Sequence, residues 1–281
     1  MADGRILVTG ATGNVGGQVV RQLLAAGLAP RALTRGTTGF PEGVEVVRGD
    51  HTDPATIRAV AEGVDAVFLM WPSPDTGSAA EVARAIAANA SRVVLLSTGA
   101  VDDRLAEQTN PIGHFHAVVE RAVVESGVRW TFLRAHGFAA NTRAWAGQVR
   151  AGDEVRGAYG QAAHTLLHEA DIAAVAVRAL TEDGHDEAKY QLTGPELLTR
   201  AEQVRAIGEA IGRPLRWHEV DPDDDRTYAG LLPDDVARQV IGGFAELVDH
   251  PVPPTSDVAD VTHAPARTFR EWLADHLDDF R

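Results

Sequence analysis

Three glycines in the segment Gly10-Ala11-Thr12-Gly13-Asn14-Val15-Gly16 have the spacing of a loop that binds a dinucleotide phosphate. The loop follows an apolar run at 5–8 and opens a segment, 15–26, in which apolar residues recur at helical spacing. The glycines would permit a tight turn, a close approach of backbone amides to a pyrophosphate, and close packing of the helix, whose positive end faces the phosphate. A purely structural glycine turn is the alternative. The residues expected to contact a nicotinamide dinucleotide are Gly10, Thr12, Gly13, Asn14 and Val15.

The residue about 20 positions beyond the loop bears on which dinucleotide is bound. Enzymes that select NAD usually place an acid there, which accepts hydrogen bonds from the ribose 2′-hydroxyl. This chain instead has Leu33-Thr34-Arg35-Gly36. Arg35 offers a planar fork of donors suited to a 2′-phosphate, which favours NADP(H) as the cofactor. The alternative is a solvated arginine at the end of a strand.

Short apolar runs that alternate with helical patterns are typical of a parallel sheet covered by helices on both faces. The predicted fold class is therefore α/β, a Rossmann doubly wound parallel sheet with a smaller α/β substrate lobe. We predict a Rossmann domain at 1–150, to which 163–183 return, and a smaller lobe at 184–281. In that lobe, 221–225 is predicted to be a solvated acidic turn. Strands are predicted at 5–8, 31–34, 44–47, 64–70, 93–96, 130–133 and 190–192, and helices at 15–26, 53–62, 79–88, 115–126, 139–150, 170–180 and 268–279.

The amino-acid sequences of several segments resemble those of a known family. The segment 9–16, Thr-Gly-Ala-Thr-Gly-Asn-Val-Gly, resembles the loop of extended and atypical short-chain dehydrogenases/reductases. Three further segments resemble the NmrA-like group of that family: 126–134 followed by Phe138 and Asn141, then 171–176, then 190–195. The resemblance covers nearly the whole chain and is weakest from 221 to 255. It implies a Rossmann domain that binds NAD(P)H beside a small substrate lobe.

The resemblance also implies contacts for residues that follow the predicted strands. Asp50 and His51 would lie against the adenine, unless Asp50 only orders the turn before Asp53. Trp71 is explained equally well as a buried packing residue. The residues expected along the cofactor ribose are Met70, Trp71 and Pro72.

Two further groups of residues follow the fifth and sixth predicted strands. Ser97 and Thr98 occupy the position where short-chain enzymes commonly present a hydroxyl to the reacting carbonyl, the alternative being that they cap backbone groups. On the same resemblance, Phe138 contacts the cofactor at the nicotinamide face. His136 and Asn141 are expected to bind the substrate.

A reductase needs a positioned acid or a polarising donor, because hydride transfer develops negative charge on the acceptor. The usual Tyr-x-x-x-Lys pair is absent, since Lys189 is the only lysine and no tyrosine precedes it at that spacing. In relatives with a lysine on the helix after the fifth strand, it lies eleven residues before the glycine of a Ser-Gly turn, which here corresponds to His116. We predict His116 as the proton donor, the alternative being a surface or ribose-contacting histidine. Glu120, one turn later, either orients His116 by an ion pair or is an ordinary solvated glutamate.

Composition excludes several classes of function. The net charge of −14 argues against nucleic acid or an anionic membrane as a partner, and the absence of cysteine excludes thiolate chemistry. The pairs His114/His116 and His164/His168 lack a third ligand for catalytic zinc, so no metal is expected. The chain also lacks the Gly-x-Ser-x-Gly elbow of a Ser-His-Asp hydrolase.

The same features bear on location. No apolar stretch approaches the roughly 18 residues of a membrane span, and the first residues leave no room for a signal peptide, so we expect a cytoplasmic protein. Abundant arginine and alanine suggest a bacterial gene. A homo-oligomer is left open.

The leading functional hypothesis is an NADPH-dependent reductase of a small carbonyl, quinone or enone substrate. The missing Tyr-Lys pair keeps open a non-catalytic redox sensor that binds NADP(H). A non-redox isomerase or cyclase on the same fold is the third alternative.

Overall fold

A parallel sheet forms the centre of the computed structural model, which describes residues 5–36 and 39–281. Seven of the strands in these residues pair in the order β3-β2-β1-β4-β5-β6-β9, all parallel. The chain winds outward in both directions from β1 and β4, which confirms the predicted doubly wound fold class. In such sheets ligands bind at the carboxyl ends of the strands where the winding reverses. The strands are β1 (Ile6–Val8), β2 (Arg31–Thr34), β3 (Glu45–Arg48), β4 (Ala66–Met70), β5 (Arg92–Thr98), β6 (Arg129–Ala135), β7 (Glu154–Gly157), β8 (Ala163–Thr165), β9 (Ala188–Leu192), β10 (Leu197–Thr199) and β11 (Arg216–Glu219).

Helices follow most strands, and their first residues explain where they start. Asp53 caps α2 by accepting from the Ala55 and Thr56 amides at 3.1 Å. Asn110 caps α4 in the same way with proline at the first helical position, so this helix begins four residues before its predicted start at 115. The helices are α1 (Asn14–Ala25), α2 (Pro54–Val60), α3 (Ala79–Ala87), α4 (Pro111–Glu125), α5 (Ala146–Ala151), α6 (Glu169–Thr181), α7 (Arg200–Ile211), α8 (Asp234–Gly243), α9 (Glu246–Asp249), α10 (Asp257–Thr262) and α11 (Phe269–Asp275), with 3₁₀ turns at Ala139–Trp145, Pro222–Asp224 and Leu277–Asp279.

The described residues divide into two compact units. The first comprises the chain up to His136, Glu169–Leu192 and Asp257–Ala264, and the second comprises Gly137–His168, Thr193–Ser256 and Pro265–Arg281. These bounds differ from the predicted division at several points. Residues 163–168, predicted to return to the Rossmann domain, belong to the second unit, and Asp257–Ala264, predicted in the lobe, belong to the first. β9 pairs with β6 and so belongs to the first unit, although it was predicted in the lobe. Residues 139–150 belong to the second unit, because Trp145 and Val149 pack in its core with Trp272.

Each unit has its own apolar core. In the first, the strands at the centre of the sheet are almost wholly apolar, as expected where helices cover both faces. Leu7, Phe68 and Leu95 are 0% exposed. In the second, β8 pairs antiparallel with β10 and β7 pairs parallel with β11. Its core contains Trp272 and Phe269 from the terminal helix.

One surface prediction is wrong. Asp225 is 5% exposed rather than solvated, and its carboxylate accepts from the amides of Ala158 at 2.8 Å and Thr227 at 2.7 Å. The pattern of adjacent acids is typical of a solvated turn, and nothing in the local sequence marks the last of them as the one that faces inward.

No helix in residues 5–36 and 39–281 combines the length and the apolarity needed to cross a membrane. The segment 1–4, on which the signal-peptide prediction depends, lies outside the described residues.

The close packing of α1 on the glycine loop generates a test of stability. A Cβ at Gly16 would lie 2.2 Å from the Gly10 carbonyl oxygen, whereas a Cβ at the next residue, Gly17, would meet its nearest atom at 3.5 Å. We expect Gly16→Ala to lower the free energy of unfolding by about 1–3 kcal/mol through overpacking. Gly17→Ala should be neutral or raise it by up to about 1 kcal/mol. Urea unfolding of both variants measures the difference, and equal stabilities would show that α1 does not depend on this contact.

Candidate cofactor site and buried charge network

The glycine loop has the geometry of a phosphate-binding turn. Gly10 adopts a left-handed backbone with φ +60°, and its carbonyl accepts from the Gly13 amide at 2.9 Å. α1 begins at Asn14, and the amides of its first turn have no acceptor within the helix. Thr12, Gly13 and Asn14 are exposed, so this helix N-terminus is accessible to an anion. The loop therefore fits the pyrophosphate of a dinucleotide.

Arg35 is exposed after β2, and its charge acts on the residues that follow β3. Hydrogen bonds from Thr52 lower the pKa of Asp50, and the charges of His51 and Arg35 lower it further. Burial lowers the pKa of His51, an effect that Asp50 opposes and Arg35 adds to. Asp50 Oδ1 accepts from the Thr52 amide at 2.9 Å and its hydroxyl at 2.8 Å, so this carboxylate does order the turn. A cation and a carboxylate thus lie at the carboxyl ends of β2 and β3.

The residues after β4 differ in what they can contact. The Met70 amide donates to Thr9 Oγ1 at 2.8 Å, which fixes the end of β4 beside β1. Trp71 is 3% exposed within the core, and its Nε1 donates to the Asp75 carbonyl at 3.1 Å. This side chain is a packing residue, which corrects the expected ribose contact. Pro72 is exposed.

Ser97 and Glu120 meet inside the first unit. Ser97 is 3% exposed, and its Oγ donates to Glu120 Oε1 at 2.6 Å, so in this arrangement the hydroxyl is not presented to a reacting carbonyl as expected. Both interpretations of Glu120 are wrong, because this carboxylate is buried and pairs with Arg134 rather than with His116. Thr98 Oγ1 accepts from the Ala100 amide at 3.2 Å, in agreement with the backbone-capping alternative.

Arg134 is the centre of this network. It lies opposite Ser97 in the register of β5 and β6 and is 2% exposed. Its Nε and Nη2 donate to Glu120 at 3.0 and 2.7 Å, and its Nη1 and Nη2 donate to Asp103 at 2.9 and 2.7 Å. Lys189 Nζ donates to Asp103 Oδ1 at 3.0 Å. Two cations and two carboxylates therefore balance each other across β6, β9, α4 and the segment that follows β5.

The pKa shifts follow from these contacts. Burial alone would lower the pKa of Arg134, but hydrogen bonds with Glu120 and Asp103 raise it above its usual value. The hydrogen bond from Arg134 lowers the pKa of Asp103 to about 2; burial opposes this shift, and a hydrogen bond from Lys189 adds to it. Arg134 and Asp103 are thus both charged at neutral pH.

The sequence contained a signal of this network that pattern reasoning missed. Arg134 ends a strand whose preceding residues, Phe132 and Leu133, are fully apolar, and a buried arginine requires carboxylate partners. Glu120 lies on the face of α4 that also buries Val119 and Val123. Which carboxylate reaches Arg134 depends on helix packing, which no local pattern encodes.

His116 is half-buried on α4. Its Nδ1 is buried without a hydrogen-bond partner in the described part of the chain, and its ring centroid lies 4.2 Å from that of Phe115. Burial lowers the pKa of His116 to about 4. The imidazole is therefore neutral at pH 7 and has one donor and one acceptor nitrogen.

The remaining predicted residues fall in different units. The His136 ring lies against the Gly99 backbone, where a Cβ would meet it at 2.0 Å, and its Nε2 is 3.0 Å from Gln191 Oε1. Both contacts lie within the first unit. Phe138 and Asn141 lie in the second unit, where they line a small cavity.

A larger cavity of about 790 Å³ lies in the first unit between residues 101–108 and α4. It is lined by His114 and Lys189 and includes no residue of the glycine loop and neither Arg35 nor His116. Across the described ranges, no group of three or more histidines and acidic side chains is arranged as a metal site.

Comparison with known proteins identifies the family. Residues 10–183 match the model of an NAD(P)H-binding family. The chain is 41% identical to the (4-alkanoyl-5-oxo-2,5-dihydrofuran-3-yl)methyl phosphate reductase of Streptomyces griseus, over 98% of this chain and 99% of that protein. It is 34% identical to the NAD(P)H azoreductase of Xenophilus azovorans, again over 98% and 99% of the two chains.

A solved structure shares the fold. The triphenylmethane reductase of Citrobacter sp., complexed with NADP(H), superposes with a TM-score of 0.79 at 19% identity, covering 99% of this chain and 100% of that one. The predicted NmrA-like Rossmann fold is thereby confirmed. The match to the NAD(P)H-binding family confirms the predicted cofactor class. The chain therefore belongs to the NAD(P)H-binding family and is an NAD(P)H-dependent oxidoreductase.

Proposed function

We propose that the chain uses NADPH to reduce the conjugated double bond of a small enone of the butenolide class. The observation that carries this proposal is the 41% identity, across 98% of the chain, with a reductase of a 5-oxo-2,5-dihydrofuran that bears an alkanoyl group and a methyl phosphate. Simple carbonyls and quinones, the other substrates predicted from the sequence, are the alternative substrates compared in the test below.

The choice of NADPH over NADH is proposed to depend on Arg35. The side chain is exposed after β2 and is close enough to Asp50 and His51 to lower the pKa of both. A 2′-phosphate carries between one and two negative charges, which a guanidinium binds by charge-assisted hydrogen bonds. The adenine is proposed to lie by Asp50 and His51, and the pyrophosphate on the amides of the glycine loop.

The chain's own contribution to the chemistry is proposed to be polarisation of the acceptor. When bound, NADPH supplies a hydride. As hydride adds to the β-carbon of an enone, the electron pair of the C=C bond shifts towards the carbonyl oxygen, and a preorganised donor there lowers the barrier. The resulting enolate takes a proton from water at its α-carbon, which completes the reduction. We assign this donation to the N–H of His116, which is neutral at pH 7, so it polarises the oxygen by a hydrogen bond and is not a cationic acid. The network of Glu120 and Arg134 is proposed to hold the ends of β5 and β6 in place.

The substrate class is tested by following NADPH oxidation with matched acceptors. A butenolide, a benzoquinone, an azo dye and a saturated ketone should be compared under the same conditions. We expect kcat/KM for the butenolide to exceed that for the others by at least about tenfold, equivalent to about 1.4 kcal/mol of transition-state stabilisation. A preference for the quinone or azo dye would contradict the proposal. Tight NADPH binding with no oxidation by any acceptor would favour the sensor or isomerase alternatives.

The variant Arg35→Ala tests whether Arg35 recognises the 2′-phosphate of NADPH. We expect the Kd for NADPH to rise about ten- to a hundredfold, which corresponds to the loss of a charge-assisted contact of about 1.5–3 kcal/mol, while the Kd for NADH changes little. Arg84→Ala, the same charge change at an exposed position of α3, is the control. Cofactor fluorescence titration measures both constants, and an equal effect on NADPH and NADH would refute the role.

His116→Gln tests the neutral-donor role by its pH dependence. We expect kcat to fall about a hundredfold with little change in the Kd for NADPH. Because the pKa of His116 is lowered to about 4, the histidine stays neutral as pH falls from 8 to 5.5, so the ratio of wild-type to variant kcat should stay constant over that range. A ratio that rises as pH falls through 6.5 would instead indicate a cationic acid.

A further inference from the structure

A second cavity, of about 60 Å³, lies wholly within the second unit. Its volume corresponds to roughly two water molecules at liquid density, enough for a group of a few heavy atoms. Polar side chains and aromatic rings both line its wall. The polar residues include Asn141, His164, Arg200 and Tyr228, and the aromatic rings include Trp145 and Phe244.

Arg200 is the cation of this cavity, and aromatic rings cover its faces. The residue is 2% exposed. Its Cζ lies 4.0 Å from the ring centroid of Phe244, 5.2 Å from that of Trp217 and 5.3 Å from that of Trp145. Cation–π contacts of this kind hold a guanidinium by its faces. Only its edges are left to form hydrogen bonds.

The N–H groups along those edges are only partly hydrogen-bonded in the described residues. Asp225 is the nearest carboxylate, but the distance from its Oδ2 to Arg200 Nη2 is 3.7 Å, longer than a hydrogen bond. Asp225 is already held by backbone amides of Ala158 and Thr227. Arg200 Nε and Nη2 have no hydrogen-bond partner within residues 5–36 and 39–281.

A third buried donor lies in the same wall without an acceptor. Trp145 Nε1 also lacks a hydrogen-bond partner in the described chain, whereas the Nε1 of Trp217 donates to Glu219 at 2.7 Å. Buried donors, above all charged ones, are costly to leave unsatisfied, so three of them around one cavity indicate a missing acceptor.

The charges of the other lining residues favour an anionic acceptor. Burial and the charge of Arg200 lower the pKa of His164 to about 4, so this imidazole is neutral at pH 7. Burial raises the pKa of Tyr228, an effect that Arg200 opposes and Asp225 adds to, so the phenol is also uncharged. Burial lowers the pKa of Arg200 itself, but a guanidinium stays protonated in proteins. Arg200 is thus the charged group among these lining residues.

We propose that this cavity is an oxyanion subsite in which Arg200 Nε and Nη2, with Trp145 Nε1, bind a carboxylate or phosphate group of the substrate. The fork of a guanidinium matches two oxygens of either group. The identification of the ligand as substrate rests on the proposed function, whereas the binding of an oxyanion does not. Phe138 and Asn141, which the sequence marked for cofactor and substrate, line the same cavity.

The test reads the tryptophan indole N–H signals by ¹H–¹⁵N NMR, without requiring turnover. The chain has five tryptophans, and Trp145→Phe assigns the signal of interest. The unmodified protein is titrated with inorganic phosphate and, separately, with acetate, with sodium chloride holding ionic strength constant. We expect a saturable shift of the Trp145 signal and little movement of Trp71, whose Nε1 already donates to a backbone carbonyl.

The two anions distinguish the source of the oxyanion. Saturation by phosphate alone identifies a phosphate ester, and saturation by acetate alone identifies a carboxylate. No saturable shift of Trp145 with either anion overturns the proposal. The titrations themselves use the unmodified protein, and Trp145→Phe serves only to assign the signal.

Arg200→Lys keeps the charge but removes the fork, and Arg216→Lys makes the same change on exposed β11. We expect Arg200→Lys to raise the dissociation constant of the effective anion about tenfold, which corresponds to the loss of one charge-assisted hydrogen bond. The Arg216→Lys value should equal that of the unmodified protein, and equal values for the two variants would contradict the role of Arg200.

A matched pair of substrates then tests whether the subsite serves the reaction. A butenolide bearing a methyl phosphate, or a carboxylate if acetate is the effective anion, is compared with the corresponding free alcohol. We expect the charged compound to have the lower KM, and Arg200→Lys to abolish that advantage. Anion binding with an equal KM for both compounds would overturn the substrate assignment, even if the reductase activity itself is found.

Discussion

The buried ion pair between Glu120 and Arg134 is the interaction on which the carboxyl end of the sheet at β5 and β6 depends. Each side chain would be costly to bury alone, and removing one partner of such a pair typically costs about 3–5 kcal/mol. The pair joins α4 to β6, and Ser97 joins β5 to it through a hydrogen bond of 2.6 Å. The carboxyl ends of two strands and the helix that carries His116 are therefore fixed by one set of charges.

The two buried arginines, Arg134 and Arg200, differ in how many of their N–H groups are hydrogen-bonded within the described residues. Arg134 uses its Nε and both terminal nitrogens on carboxylates, in the bidentate geometry that stabilises a buried cation. Arg200 is equally buried, but aromatic faces hold it while its Nε and Nη2 find no acceptor in the described residues. Both side chains are 2% exposed, so the difference lies in whether the described residues supply the acceptors.

Local sequence patterns were enough to predict the fold and the phosphate loop, but they did not predict the partners of the buried charged residues. The glycine loop was predictable because Gly10, Gly13 and Gly16 each meet a backbone requirement that is encoded within seven residues. Asp225 was expected on the surface and Glu120 either there or paired with His116, since acidic residues in turns and on helices are usually solvated. Their burial depends on residues 67 and 14 positions away, Ala158 and Arg134. Long-range pairing of this kind leaves no periodic signal in one sequence.

His116 and His164 are both neutral at pH 7, and this bears on how the chain can polarise a substrate without the Tyr-x-x-x-Lys pair. Burial lowers the pKa of His116 and His164 to about 4, so neither adds a positive charge at pH 7. A conjugated acceptor suits such a site, because the charge that develops on its oxygen is delocalised and needs a hydrogen bond rather than immediate protonation. An unactivated ketone would develop a localised alkoxide, for which a neutral imidazole is a weak acid. The missing dyad and the lowered histidine pKa values therefore favour the same class of substrate.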